Sequence, residues 1–109
     1  MKQLFKLQAE ICKVLANPKR LEVLYVLKDG ERSVGELVKL LGISKANLSQ
    51  HLAVMRSAGI VNARREGVNI YYSVASKKIT EACAIMRDVL MEKLEKDKDI
   101  LKALRKGRA

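Results

Sequence analysis

The chain has 109 residues, 49% of them apolar, and 22 lysines and arginines against 12 aspartates and glutamates, for a formal charge of +10. That suffices for one small globular domain over residues 1–109 and leaves no room for a second core. No run of about 18 apolar residues and no signal-peptide pattern occurs. The two distant cysteines form neither a disulfide framework nor a CxxC pair, so the expectation is a cytoplasmic protein with no cofactor, no metal and no membrane partner.

Such a positive surplus favours a polyanion, nucleic acid first; the plain alternative is a generally soluble basic surface. Five helices and one hairpin are expected. Leu4, Leu7, Ile11, Val14 and Leu15 recur at helical spacing and mark a first helix over residues 1–16. Asn17-Pro18 ends it, because proline disfavours helical backbone in the residue before it. Pro18 suits the first turn of the second helix, where its missing N–H is no loss. That helix carries Leu21, Leu24, Tyr25 and Leu27 on one side and stops at Asp29-Gly30. Ser33 and Glu36 have the spacing of a capping box, which opens a short third helix with Leu37, Leu40 and Leu41 inward, up to Gly42.

Ser44 is a good N-cap for the fourth helix, and Leu48, Leu52 and Met55 define its buried stripe. At about 100° per residue, Ala46, Gln50 and Ala53 fall on the far side, with Asn47 and Ser49 flanking them. This face suits a DNA major groove: Asn and Gln read adenine edges, Ser pairs with several bases, and alanine permits close approach. Lys45, in the first turn, is placed for a phosphate. Residues 33–59 thus read as a helix-turn-helix, against the alternative of an ordinary helical hairpin with a polar side. The period then changes to two. Val61, Ala63, Val68, Ile70, Tyr72 and Val74 alternate with Asn62, Arg64, Asn69, Tyr71 and Ser73, with Arg65-Glu66-Gly67 between the strands. A basic hairpin over residues 60–74, directly after a recognition-type helix, reads as a wing with Arg64 and Arg65 as its DNA contacts. The alternative is a plain hairpin with solvated arginines.

The last segment, residues 76–105, carries Ile79, Ala82, Cys83, Met86, Val89, Leu90 and Leu94 as a long apolar stripe, followed by a charged tail to Ala109. With the first helix, it exceeds what a core of this size needs, so the two read as dimerisation helices. Cys12 and Cys83 lie on these helices. Each is either an apolar filler or, where the helices meet, half of a thiol pair within disulfide reach. His51, the lone histidine, reads as a packing residue of the fourth helix. A thiol enzyme would need a polarised cysteine beside a histidine or in CxxC, and neither is present.

From Leu15 to Val74 the chain resembles the ArsR-type (arsenical-resistance repressor) family of winged helix-turn-helix regulators, through its LANPKRL, SVGEL, LSQHL, AGIV and RREG-x-x-x-YY segments in order. The resemblance implies a mostly α fold with a β-hairpin wing, in the order α-α-α-α-β-β-α. It implies a homodimer through the first and last helices that presents two recognition helices to an inverted-repeat operator in double-stranded DNA, usually as a repressor released by an effector. The family's DNA-contacting positions fall on Lys45, Ala46, Ser49 and Gln50, with Asn47 beside them, and its wing arginines on Arg64 and Arg65. Its usual metal sites are not matched: the CxC position reads Glu36-Leu37-Val38, and the last-helix positions read Lys78, Thr80, Met91 and Leu94. Some members sense sulfide or redox signals with paired cysteines, at positions that do not coincide with both Cys12 and Cys83. The expected function is a DNA-binding regulator with a thiol-reactive (redox, sulfide or arsenite) effector. The alternatives are a regulator without cysteine sensing, and a winged helix that binds protein instead of DNA.

Overall fold

Asn17 marks the first corner of the chain. Its side-chain oxygen accepts a hydrogen bond from the backbone N–H of Arg20 at 3.2 Å, which with Pro18 in the first turn starts α2 (Pro18–Leu27) directly after α1 (Lys2–Leu15). The computed structural model describes residues 1–107, and the last two residues of the expected tail lie outside them. After α2 come a two-residue strand β1 (Arg32–Ser33), α3 (Val34–Leu41), α4 (Lys45–Ser57), the hairpin β2 (Val61–Glu66) and β3 (Asn69–Val74), then α5 (Lys77–Glu95) and α6 (Lys98–Gly107).

The mostly helical winged helix-turn-helix expected from the sequence is present, with two additions to its order. Strand β1 joins the hairpin in an antiparallel sheet of order β1-β3-β2, pairing Arg32 with Tyr72 and Ser33 with Tyr71. The expected single segment over residues 76–105 is two helices. Asp97 interrupts it, because its side chain accepts the backbone N–H of Ile100 (3.3 Å) and so caps the start of α6.

The core is built from Val23, Leu24 and Leu27 of α2, Leu37 of α3, Leu48, Leu52 and Met55 of α4, and Ile60 and Val61 at the entry to the hairpin. Burying each of these side chains is worth about 1.5–3 kcal/mol, which holds the four elements together. Three expected inward residues face out. On α2 the buried side is centred on Val23, Leu24 and Leu27, which leaves Leu21 and Tyr25 on its flank. On α3 the residues packed on the core are Val34, Leu37, Val38 and Leu41, at helical steps of three and four, and Leu40 falls outside that set.

Candidate nucleic-acid interface

Gly42 ends α3 in the left-handed conformation (φ 63°) and its N–H bonds back to the Val38 carbonyl at 2.9 Å. A side chain there would be strained, so the tight turn depends on glycine. Two residues later, Ser44 accepts the backbone N–H of Asn47 at 3.1 Å and starts α4. The capping box of Ser33 and Glu36 opens α3 in the same way, with reciprocal bonds of 3.1 and 3.0 Å. The backbone N–H and side-chain hydroxyl of Ser33, then Arg32, hold the Glu36 carboxyl below its ordinary pKa. These local signals fix the two helices and the turn between them.

The fully buried Leu48, Leu52 and Met55 decide which side of α4 meets solvent. Lys45, Ala46, Asn47, Ser49 and Gln50 are all exposed, as the spacing predicts. Among the described residues, the side chains of Lys45, Asn47, Ser49 and Gln50 have no hydrogen-bond or ion-pair partner, so their donors and acceptors are free for a ligand. Arg56 was missed by the sequence reading. It is exposed, in the last turn, seven positions after Ser49 and eleven after Lys45, and therefore lies along the same side of the helix. Helix α4 contains no acidic residue, so nothing on it repels a phosphate backbone.

The wing differs from expectation at its tip and in its arginines. Glu66 pairs with Asn69, so the turn is the two-residue Gly67-Val68 with Gly67 at φ 62°, and Arg65 and Glu66 belong to β2. Val68, expected on the apolar face, stands at the tip and is 99% exposed. Arg64 does not project freely. Its guanidinium donates to both oxygens of Glu31 (2.6 and 3.1 Å) and to Glu66 (2.6 Å), and lies 4.8 Å from the centre of the Tyr71 ring opposite it. The bond from Arg64 keeps the Glu31 carboxyl charged to lower pH than usual. Arg65, on the other face of the strand, is exposed and forms no ion pair among the described residues.

Cys12 is exposed on α1, and Cys83 is half-buried on α5 against the core; both are free thiols. Among the described residues, no group of three or more His, Cys, Asp and Glu side chains is placed to hold a metal ion. His51 accepts a hydrogen bond from Arg20 and is half-buried in the middle of α4. No described helix is long and apolar enough to cross a membrane.

The family model described as bacterial regulatory protein, arsR family, matches residues 17–63, from the cap of α2 into β2. The chain is 45% identical over 105 residues to the uncharacterised HTH-type transcriptional regulator Rv0081 of Mycobacterium tuberculosis, covering 95% of this chain and 92% of that one. It belongs to the ArsR family. The crystal structure of Rv0081 superposes with a TM-score of 0.78 over 86% of this chain and 95% of that one. The solution structure of the homodimeric winged helix-turn-helix DNA-binding domain Mb0332 of Mycobacterium bovis, 35% identical, also gives 0.78, over 86% and 87% of the two chains. A biofilm growth-associated repressor of Agrobacterium fabrum is 49% identical over 70 residues, 64% of this chain and 60% of the repressor. This ArsR-family protein is thus a DNA-binding transcriptional regulator of winged helix-turn-helix fold.

Proposed function

We propose that the chain is a homodimeric repressor, which places two copies of α4 in successive major grooves of a two-fold symmetric operator. The observation that carries this reading is the exposed, partnerless face of Ala46, Asn47, Ser49 and Gln50 on a helix pinned to the core by its opposite side. In this reading Asn47, Ser49 and Gln50 read base edges, Ala46 allows close approach, and Lys45 meets the phosphate backbone. Arg65 supplies the wing's phosphate contact, while Arg64 sets the wing's position through Glu31.

Dimerisation is supported by what one copy leaves uncovered. Leu4, Phe5, Leu7 and Ile11 on α1, and Ile85, Met86, Val89 and Leu90 on α5, are all exposed. Apolar surface of this extent on two helices is characteristic of an interface. Pairing two copies through it would also supply the two-fold axis that a palindromic site requires.

Selection of bound duplexes from a random pool tests the whole reading. The expected product is an inverted repeat with half-sites about 34–36 Å apart, one helical turn. A single unrepeated half-site, or no enrichment, refutes it. Placing the selected site across a reporter promoter gives the sign: expression falls when the protein is present, and a rise would make it an activator.

A further inference from the structure

Proline at position 18 deprives the end of α1 of a donor. In an α-helix the carbonyl of Val14 would take the N–H of residue 18, and Pro18 has none. The donor comes instead from a side chain. Arg20, half-buried in the first turn of α2, donates from Nη1 to the Val14 carbonyl at 3.1 Å. The same guanidinium donates from Nε to Nδ1 of His51 on the recognition helix at 3.2 Å. Its backbone N–H is held in turn by Asn17. One planar group therefore joins the end of α1, the start of α2 and the middle of α4.

We propose that Arg20 is a positioning residue for operator recognition, which fixes α4 relative to α1 through His51 without touching DNA itself. This inference rests on the reading of α4 as the base-reading helix. Two features make the link more than a packing contact. The guanidinium presents its donors in a rigid plane, so the Val14 carbonyl and the His51 ring are held at a set separation, which a flexible ammonium cannot do. An imidazole that accepts at Nδ1 while neutral must carry its proton on Nε2, so the contact also selects one tautomer. His51 directly follows Gln50, and a change in how its ring is held is passed to the helix face that carries Gln50. A shift of α1, one of the two helices with an uncovered apolar face, thereby has a polar route to the recognition helix as well as the packed core.

The chain has a single histidine, so its ring nitrogens are read without ambiguity. In 15N-labelled protein, at a pH where the imidazole is neutral, the expected spectrum is one tautomer with the proton on Nε2. Arg20→Lys, which keeps the charge, should give averaged ring signals. It should also lower affinity for the selected operator about tenfold, the scale of one charge-assisted hydrogen bond, with affinity for random duplex and the sedimentation coefficient unchanged. His51→Leu should lose the same factor, and the double variant no more than either single one, because both remove one link. A wild-type ring protonated on Nδ1, an Arg20→Lys protein that binds the operator as well as wild type, or additive losses would overturn the proposal. Failure of the wild type to select any operator would instead strike the functional reading, and the tautomer measurement would still decide the contact.

Discussion

Arg64 grips Glu31 by both carboxylate oxygens, which ties the second strand of the sheet to the loop that precedes the first. Two adjacent arginines of the wing therefore have different surroundings. Arg64 faces two carboxylates, whereas Arg65 faces none among the described residues. Arg65→Ala should reduce the slope of log affinity against log salt by about one per subunit, as expected when one phosphate contact is lost. Arg64→Ala should weaken binding with a smaller change in slope, since it frees the wing and leaves Glu31 and Glu66 unpaired. Measuring both slopes by titration at several salt concentrations checks the division; equal slopes would make both residues phosphate contacts.

Gln50→Ala should cost about 1–3 kcal/mol on the best operator and little on random duplex, because the change removes a base contact and leaves the backbone contacts in place. Equal loss on both duplexes would remove Gln50 from the readers.

Ser44→Ala removes the side-chain acceptor for the Asn47 N–H at the start of α4. The expected cost is about 1 kcal/mol of folding stability, measured by urea denaturation, with Ser44→Asp close to wild type because aspartate also caps.

Acid should loosen the start of α3 and the wing together. Glu31 and Glu36 both have pKa values lowered from the ordinary 4.5, the first by its bond from Arg64 and the second by the backbone and side chain of Ser33. A carboxyl whose pKa is lower folded than unfolded adds stability that is fully present above the unfolded value. That stability is lost as pH falls through the folded one. The thermal midpoint should therefore hold from neutrality to near the ordinary carboxylate range and drop below it. In Glu31→Gln and Glu36→Gln the drop should be shallower, as scanning calorimetry at a series of pH values would show.

The two thiols should differ in reactivity because their access differs. Cys12, exposed on α1, should be alkylated well before Cys83, which packs against the core. Mass spectrometry after a timed pulse of iodoacetamide reads the order. A matching loss of operator binding in wild type but not in Cys12→Ser would make Cys12 a sensor; unchanged binding would leave it a surface residue.

Local signals carried well from sequence to structure. Caps at Ser33 and Ser44, the glycine turn at Gly42 and the stripe of Leu48, Leu52 and Met55 each depend on residues within a few positions of one another, so the two helices, the turn between them and the exposed side of α4 were legible. The misplaced residues depend on distant partners. Tyr25 looks like a core residue until Lys28 and Arg87 are seen lying over its ring, at 4.0 and 5.0 Å. Arg64 looks free until Glu31, thirty-three positions away, is brought beside it. Leu21 and Leu40 belong to helices with apolar residues on more than one side, where periodicity does not say which side the core takes. The Arg20 link had a sequence signal that went unread: a proline four residues after Val14 leaves a carbonyl in need of a donor.

Helix α4 divides its labour by side, and on the proposed function this bears on how such a protein changes over generations. Its inward residues hold the fold, while the side chains of Ala46, Asn47, Ser49 and Gln50 are exposed and form no hydrogen bond or ion pair among the described residues. Substitutions at exposed positions of this kind shift stability by only about 0.5 kcal/mol in either direction. A lineage can therefore drift from one target site to another through a handful of codon changes without passing through unfolded intermediates. After duplication, two copies are free to diverge in the genes they control while sharing one architecture.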